Sequence, residues 1–357
     1  MENFFNKDYL KKKIQKSVEN SESELLLEEK INIVFDQNYY DETLKNYLKI
    51  LESEPDNIEV IVNTGCISFL KGEEEKAEQY FHKAKKLDPD NYLVYLNIAN
   101  LYFEKTKYEK AILYLKKALD LSPNNPEIYA LLGAAFYEIK KHEEALKYYN
   151  KAIKLNPQKQ EYIINLANIY QETEDYQNAA VLYEKSVALD KKDYKSLICL
   201  GNAYSELNKF EKAFDCFEKA IALKPDYYKV YLCYGISKSN YGKPDEAVEK
   251  YKKALSLNLG DEKIYIILAN TLVEKNSYDE AIEYYKKAIE LNNKNITAHI
   301  ALGNTLILKG NIKESIYYYR IATFLEPANI KIRHIYEEAL EEYASSTIKK
   351  ITEEDDK

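Results

Sequence analysis

Asparagine fills eight of sixteen equivalent slots in this chain. Asn63, Asn97 and Asn165 stand at one recurring position, and Asn100, Asn168, Asn202, Asn270 and Asn304 stand three residues further on. A primary amide offers two donors and one acceptor and does not titrate, so its chemistry is hydrogen bonding to another polar chain. The residues suited to covalent or metal chemistry are not arranged for it. His82, His142, His299 and His334 are scattered, and neither HExxH nor CxxC accompanies them. GxSxG and GxxxxGK[ST] are also missing. The chemistry expected is therefore recognition without catalysis, and neither a cofactor nor a metal is expected.

The asparagines recur because the chain recurs. Pro55, Pro89, Pro123 and Pro157 are each 34 residues apart, and Pro225 and Pro327 keep the same register. Nine units follow: 24–57, 58–91, 92–125, 126–159, 160–193, 194–227, 228–261, 262–295 and 296–329. In the third unit Tyr95, Ile98, Ala99 and Tyr102 fall on one helix face, and Ala111, Leu115 and Ala118 form a second face after a break at 105–107. Pro123 ends the second helix, and Asn124 or Asn125 can cap the next. Position 8 of each unit is Gly or Ala from Gly65 to Gly303, and positions 20 and 27 are almost always Ala. A large residue at position 24, such as Phe81, Tyr149 or Tyr251, fills the space between them. One helix pair cannot bury its apolar face alone, so neighbouring pairs must stack.

This small–small–aromatic–small–proline pattern resembles the tetratricopeptide repeat family over nearly the whole chain. The resemblance implies an all-α fold, a right-handed α-solenoid of antiparallel helix pairs with a concave groove lined mainly by the first helix of each pair. Two departures stand out. The family often has Trp at position 4, where this chain has residues such as Tyr95, Tyr231 and His299, and Pro gives way to Lys191, Leu259 and Asn293 in three turns. His299 is read as a packed core residue, and the three turns are expected to keep the stack unbroken. The asparagines are similar to the ladder with which solenoids of the O-linked N-acetylglucosamine transferase type hold extended substrates, although no transferase domain is present. Co-chaperones of the family clamp a C-terminal carboxylate with a position-5 lysine. Here that position is aliphatic from Val62 to Ile300, so this clamp on chaperone tails is not expected.

The groove thus holds the candidate residues. Beside the asparagine ladder, Phe69, Phe103 and Tyr137 at position 12 form a candidate aromatic stripe. Position 2 reads Glu59, Leu93, Glu127 and Glu161, then switches to Lys195, Lys229 and Lys263, which would suit an acidic partner segment toward the C-terminal half. The net charge of −8 is partly concentrated after residue 336, where eight acids face three lysines. No basic stripe stands out, so nucleic acid is not an expected partner. No run reaches the ~20 apolar residues of a membrane span and no export signal begins the chain, so no membrane insertion and a cytoplasmic location are expected. Four unpaired thiols agree with that compartment.

Residues 1–23 are read as a capping or docking helix built on Phe4, Phe5, Tyr9, Leu10, Ile14 and Val18. Residues 330–344 are read as a C-terminal capping helix, and 345–357 as an acidic disordered tail. The function expected is a non-catalytic scaffold or adaptor that holds a protein or peptide segment in its groove. The alternative is a subunit that recruits substrates for a separate enzyme such as a glycosyltransferase.

Overall fold

The computed structural model describes residues 37–355, and among them there are eighteen helices and no strand. The N-terminal helix expected over 1–23 and the first helix of the first unit lie outside the described residues. The chain divides into two compact units, one ending at Leu189 and the other beginning at Asp190.

The first unit contains α1 (Gln37–Ser53) and four helix pairs. These are α2 (Ile58–Leu70) with α3 (Glu74–Leu87), α4 (Tyr92–Glu104) with α5 (Tyr108–Leu121), α6 (Pro126–Glu138) with α7 (His142–Leu155), and α8 (Gln160–Glu172) with α9 (Tyr176–Leu189). The second contains four further pairs and a last helix. They are α10 (Tyr194–Glu206) with α11 (Phe210–Leu223), α12 (Tyr228–Asn240) with α13 (Pro244–Leu257), α14 (Glu262–Glu274) with α15 (Tyr278–Leu291), α16 (Ile296–Leu308) with α17 (Ile312–Leu325), and α18 (Ile330–Asp355). Within each unit every helix packs on the next, most closely inside a pair.

Close approach inside a pair rests on position 8. A Cβ added to Gly65 would stand 2.7 Å from the Phe81 ring, and one on Gly235 would stand 2.4 Å from Tyr251. The aromatic ring of the second helix lies directly on the backbone of the first. Ala77, Ala84, Ala111 and Ala118 are fully buried on the facing side. Burying each such aromatic contributes roughly 1.5–3 kcal/mol; the contact recurs at Gly133, Gly201 and Gly303, whereas Ala99, Ala167 and Ala269 take position 8 in the other three pairs.

The turns obey two rules. Between successive repeats, the position-34 side chain caps the following helix: Asn57, Asn91, Asn125, Asp193, Asp261 and Asn295 each accept from a backbone N–H of its first turn. The turn through Asn293, which lacks proline, keeps the bonds of the turn through Pro123. Asn292 donates to the Ala288 carbonyl as Ser122 does to Ala118, and Asn295 to Asn292 as Asn125 does to Ser122.

Within each pair, position 15 takes a left-handed conformation in all eight cases, at Gly72, Thr106, Lys140, Glu174, Asn208, Gly242, Asn276 and Gly310. The residue after it donates back to position 11, as Glu73 does to Ser68 and Lys107 to Tyr102, which closes a Schellman turn.

The C-terminal expectation needs correction. α18 runs unbroken from Ile330 to Asp355, through most of the segment read as a disordered tail. No proline or glycine follows Pro327, so no residue breaks the helix. Ile332 and Ala339, seven residues apart, are its buried face.

Thr106 is a β-branched residue held at φ 54°. Thr106→Gly is expected to stabilise the chain by about 1 kcal/mol, seen as a higher urea midpoint at unchanged m-value.

Candidate functional site

The first helix of each pair presents positions 2, 6, 9 and 12 along one side, and the structure separates the candidates there by position and burial. Asn168, Asn270 and Asn304, all at position 9, share one arrangement. The position-24 tyrosine of the same pair donates its hydroxyl proton to the amide oxygen: Tyr183 to Asn168 at 2.6 Å, Tyr285 to Asn270, and Tyr319 to Asn304 at 2.7 Å. Asn270 and Asn304 are exposed and Asn168 is half-buried. With Oδ1 engaged inward, the side that remains for a ligand is the donor Nδ2.

Asn100 differs because its unit has Leu115 in place of the tyrosine. Its Oδ1 is buried and unpaired among the described residues. In the second unit of the chain, Asn202 donates to the Cys233 thiol at 3.6 Å, since Phe217 stands where a tyrosine would.

The position-6 asparagines are placed differently. Asn97 and Asn165 are buried, and Asn63 is half-buried. Asn97 donates to the Leu93 carbonyl one turn back at 2.8 Å, and its oxygen accepts from the Cys66 thiol at 3.5 Å. At 2%, 3% and 5% exposed, Asn97, Asn165 and Asn100 are corrected as ligand contacts.

The aromatic stripe is corrected as well. Phe69 and Phe103 are 4% and 6% exposed and belong to the core. Phe103 packs edge-on against Tyr108, with ring centroids 5.0 Å apart. Tyr137 is half-buried and donates its hydroxyl to Glu172, which also pairs with Lys140 at 2.9 Å. Position 12 is the last residue but one of the first helix, and there Phe69, Phe103 and Tyr137 close their pairs against the turn.

Lys195, Lys229 and Lys263 are exposed on α10, α12 and α14. Each stands in the first turn of its helix, where backbone N–H groups add positive potential.

Other notable side chains prove structural. His299 is 2% exposed, and its Nε2 lies 2.9 Å from the Asn293 carbonyl. Tyr129, Tyr231 and Arg333 make the same reach from position 4 to the carbonyls of Pro123, Pro225 and Pro327. That role explains why a polar-tipped residue recurs there, and the periodicity did not reveal it. None of the four cysteines is in a disulfide, and burial pushes the Cys233 thiol pKa up, which keeps it protonated and unreactive. Among the described residues no His, Cys, Asp and Glu cluster is placed to hold a metal, and no helix is long and apolar enough to cross a membrane.

Comparison with known proteins follows the same lines. Residues 120–339, more than half of the chain, match the family described as Cilia and flagella-associated protein 70 C-terminal domain. Residues 99–140 match TPR repeat and residues 58–91 match Tetratricopeptide repeat. The chain belongs to this tetratricopeptide-repeat family.

Among solved structures, the tetratricopeptide-repeat chain is similar to a tetratricopeptide repeat protein from Parabacteroides merdae. The identity is 18%, covering 70% of this chain and 98% of that one, with a TM-score of 0.55. It is also similar to a chain of the APC/C hetero-tetramer Cut9–Hcn1, at 18% identity over 83% of this chain and 58% of the other, with a TM-score of 0.50. These are likenesses of fold. No curated protein matches the tetratricopeptide-repeat chain.

Two measurements check this arrangement. Asn304→Ala leaves the buried Tyr319 hydroxyl without its acceptor and is expected to cost about 1–2 kcal/mol of stability. Asn304→Asp keeps an oxygen there and is expected to cost less, both read by thermal unfolding.

Burial pushes the pKa values of Tyr251, Tyr285 and Tyr319 up to about 12. A raised tyrosine pKa means the fold favours the neutral phenol. That contribution is whole below about pH 10, the ordinary tyrosine value, and is lost as pH climbs toward 12. Absorbance at the tyrosinate band is expected to lag behind that of free tyrosine, with unfolding in the same window.

Proposed function

We propose that this protein is a non-catalytic scaffold that holds a segment of a partner protein against the first helices of its repeats. The observation that carries this reading is the orientation of the position-9 amides. Tyr285 and Tyr319 occupy the oxygens of Asn270 and Asn304, so two exposed amides in successive repeats present N–H donors in one sense. Such a row suits the carbonyl oxygens of a peptide backbone, whose spacing is independent of side-chain identity. Stacked repeats expose an extended surface of this kind, and each repeat adds one further contact.

The test exploits the pinned geometry. Asn270→Asp with Asn304→Asp keeps the acceptor that each tyrosine needs while replacing the outward donor by a carboxylate oxygen. Full-length wild type and this double variant are used for affinity capture from lysate of the source organism, with circular dichroism as the check on folding. The wild type is expected to retain a protein that the folded variant loses. Equal capture by both would remove the amide row from the binding surface.

A further inference from the structure

We infer that the surface over α10, α12 and α14 takes an extended acidic segment whose carboxylates recur at every third residue. This rests on the groove reading above and specifies the chemistry of its occupant.

The lysines supply the charge. Lys195, Lys229 and Lys263 occupy one position in three consecutive repeats and are exposed. Lys229 and Lys263 form no ion pair among the described residues, whereas Lys219, Lys238, Lys275 and Lys309 of the same unit each hold a carboxylate. The acids nearest in sequence serve as helix caps or hold an amide. Asp193 accepts from the backbone N–H groups of Lys195 and Ser196, Asp261 from that of Lys263, and Glu262 from the Asn292 amide. Glu206 and Glu274 end α10 and α14, eleven residues past the lysines. At 1.5 Å per residue that is roughly 16 Å away, about two Debye lengths at physiological salt.

Spacing sets the period. α10 packs on α12, and packed helix axes lie roughly 8–10 Å apart. An extended chain rises about 3.3 Å per residue, so three residues span about 10 Å. A carboxylate on every third residue therefore meets the lysines of α10 and α12, and the repeat of the fold extends the same step to Lys263 on α14. The residues between them pass Ile236, which is 38% exposed, and the half-buried Ile267. These would receive short aliphatic side chains. The first unit carries the opposite sign at this position, with Glu59, Glu127 and Glu161, so the preference belongs to the second unit alone.

The experiment measures fluorescence anisotropy of labelled peptides on the full chain. One peptide repeats Glu-Val-Thr, a second repeats Gln-Val-Thr, a third repeats Lys-Val-Thr, and a fourth has the composition of the first with its glutamates clustered. The Glu-Val-Thr peptide is expected to bind best and to weaken as salt rises. Lys229→Glu with Lys263→Glu is expected to weaken it roughly tenfold or more and to turn preference toward the Lys-Val-Thr peptide. Lys229→Gln with Lys263→Gln gives an intermediate loss. Equal binding of the Gln-Val-Thr peptide would overturn the charge inference, and equal binding of the clustered peptide would overturn the period. Failure of every peptide to bind would overturn the acidic occupant altogether. If every peptide fails while the wild type still captures a protein that the Asn270→Asp, Asn304→Asp variant loses, the acidic occupant falls and the groove reading stands.

Discussion

A small residue, Gly or Ala, beneath the large side chain of position 24 is the constraint on which the stack depends. At Gly65, Gly133, Gly201, Gly235 and Gly303 the ring of position 24 approaches within 2.4–2.7 Å of where a Cβ would stand. That approach sets how near the second helix lies to the first, and hence how the alanines at positions 20 and 27 can be wholly buried. Once a pair is closed this way, its remaining apolar face is presented to the next pair. The helix lengths show the regularity: the first helix of every pair has 13 residues and the second has 14.

The turns preserve this spacing by backbone geometry more than by side-chain identity. Position 15 holds Gly, Asn, Thr, Lys or Glu in different repeats, yet each adopts the same left-handed conformation. The non-glycine cases carry strain that the two helices on either side must hold in place. Charge acts as a lighter trim. A lysine at position 14 pairs with the aspartate at position 18 of the preceding repeat in Lys71–Asp41, Lys275–Asp245 and Lys309–Asp279. Exposed pairs of this kind contribute little individually, about 0–1 kcal/mol.

Much of this was legible before any coordinates. Proline spacing and the small residues at positions 8, 20 and 27 placed the helix pairs, because those positions answer to steric demands that few residue types meet. The left-handed turn had a signal that went unread: Gly72, Gly242, Gly310, Asn208 and Asn276 share one position, but Thr106, Lys140 and Glu174 masked it. Groove chemistry was less readable. An asparagine pattern looks the same whether the amide faces solvent, as at Asn270, or is buried, as at Asn97. Phe69 and Phe103 fit an exposed stripe and a core equally well by spacing, and only packing against the turn separates the two. The end of α18 was misjudged because acidic composition suggested disorder, whereas the absence of helix breakers let the helix continue.

The phenol–amide bond gives buried residues authority over surface chemistry. Where position 24 is tyrosine, the amide above it is oriented and offers donors outward. Where it is phenylalanine or leucine, as at Phe217 and Leu115, the amide takes other partners or keeps an unmatched oxygen. A single oxygen atom gained or lost in the interior therefore rewrites the hydrogen-bond polarity of one rung without altering any groove residue. Repeats of this design can change what they select while their outward-facing letters stay the same, and divergence in specificity is to be sought in the core.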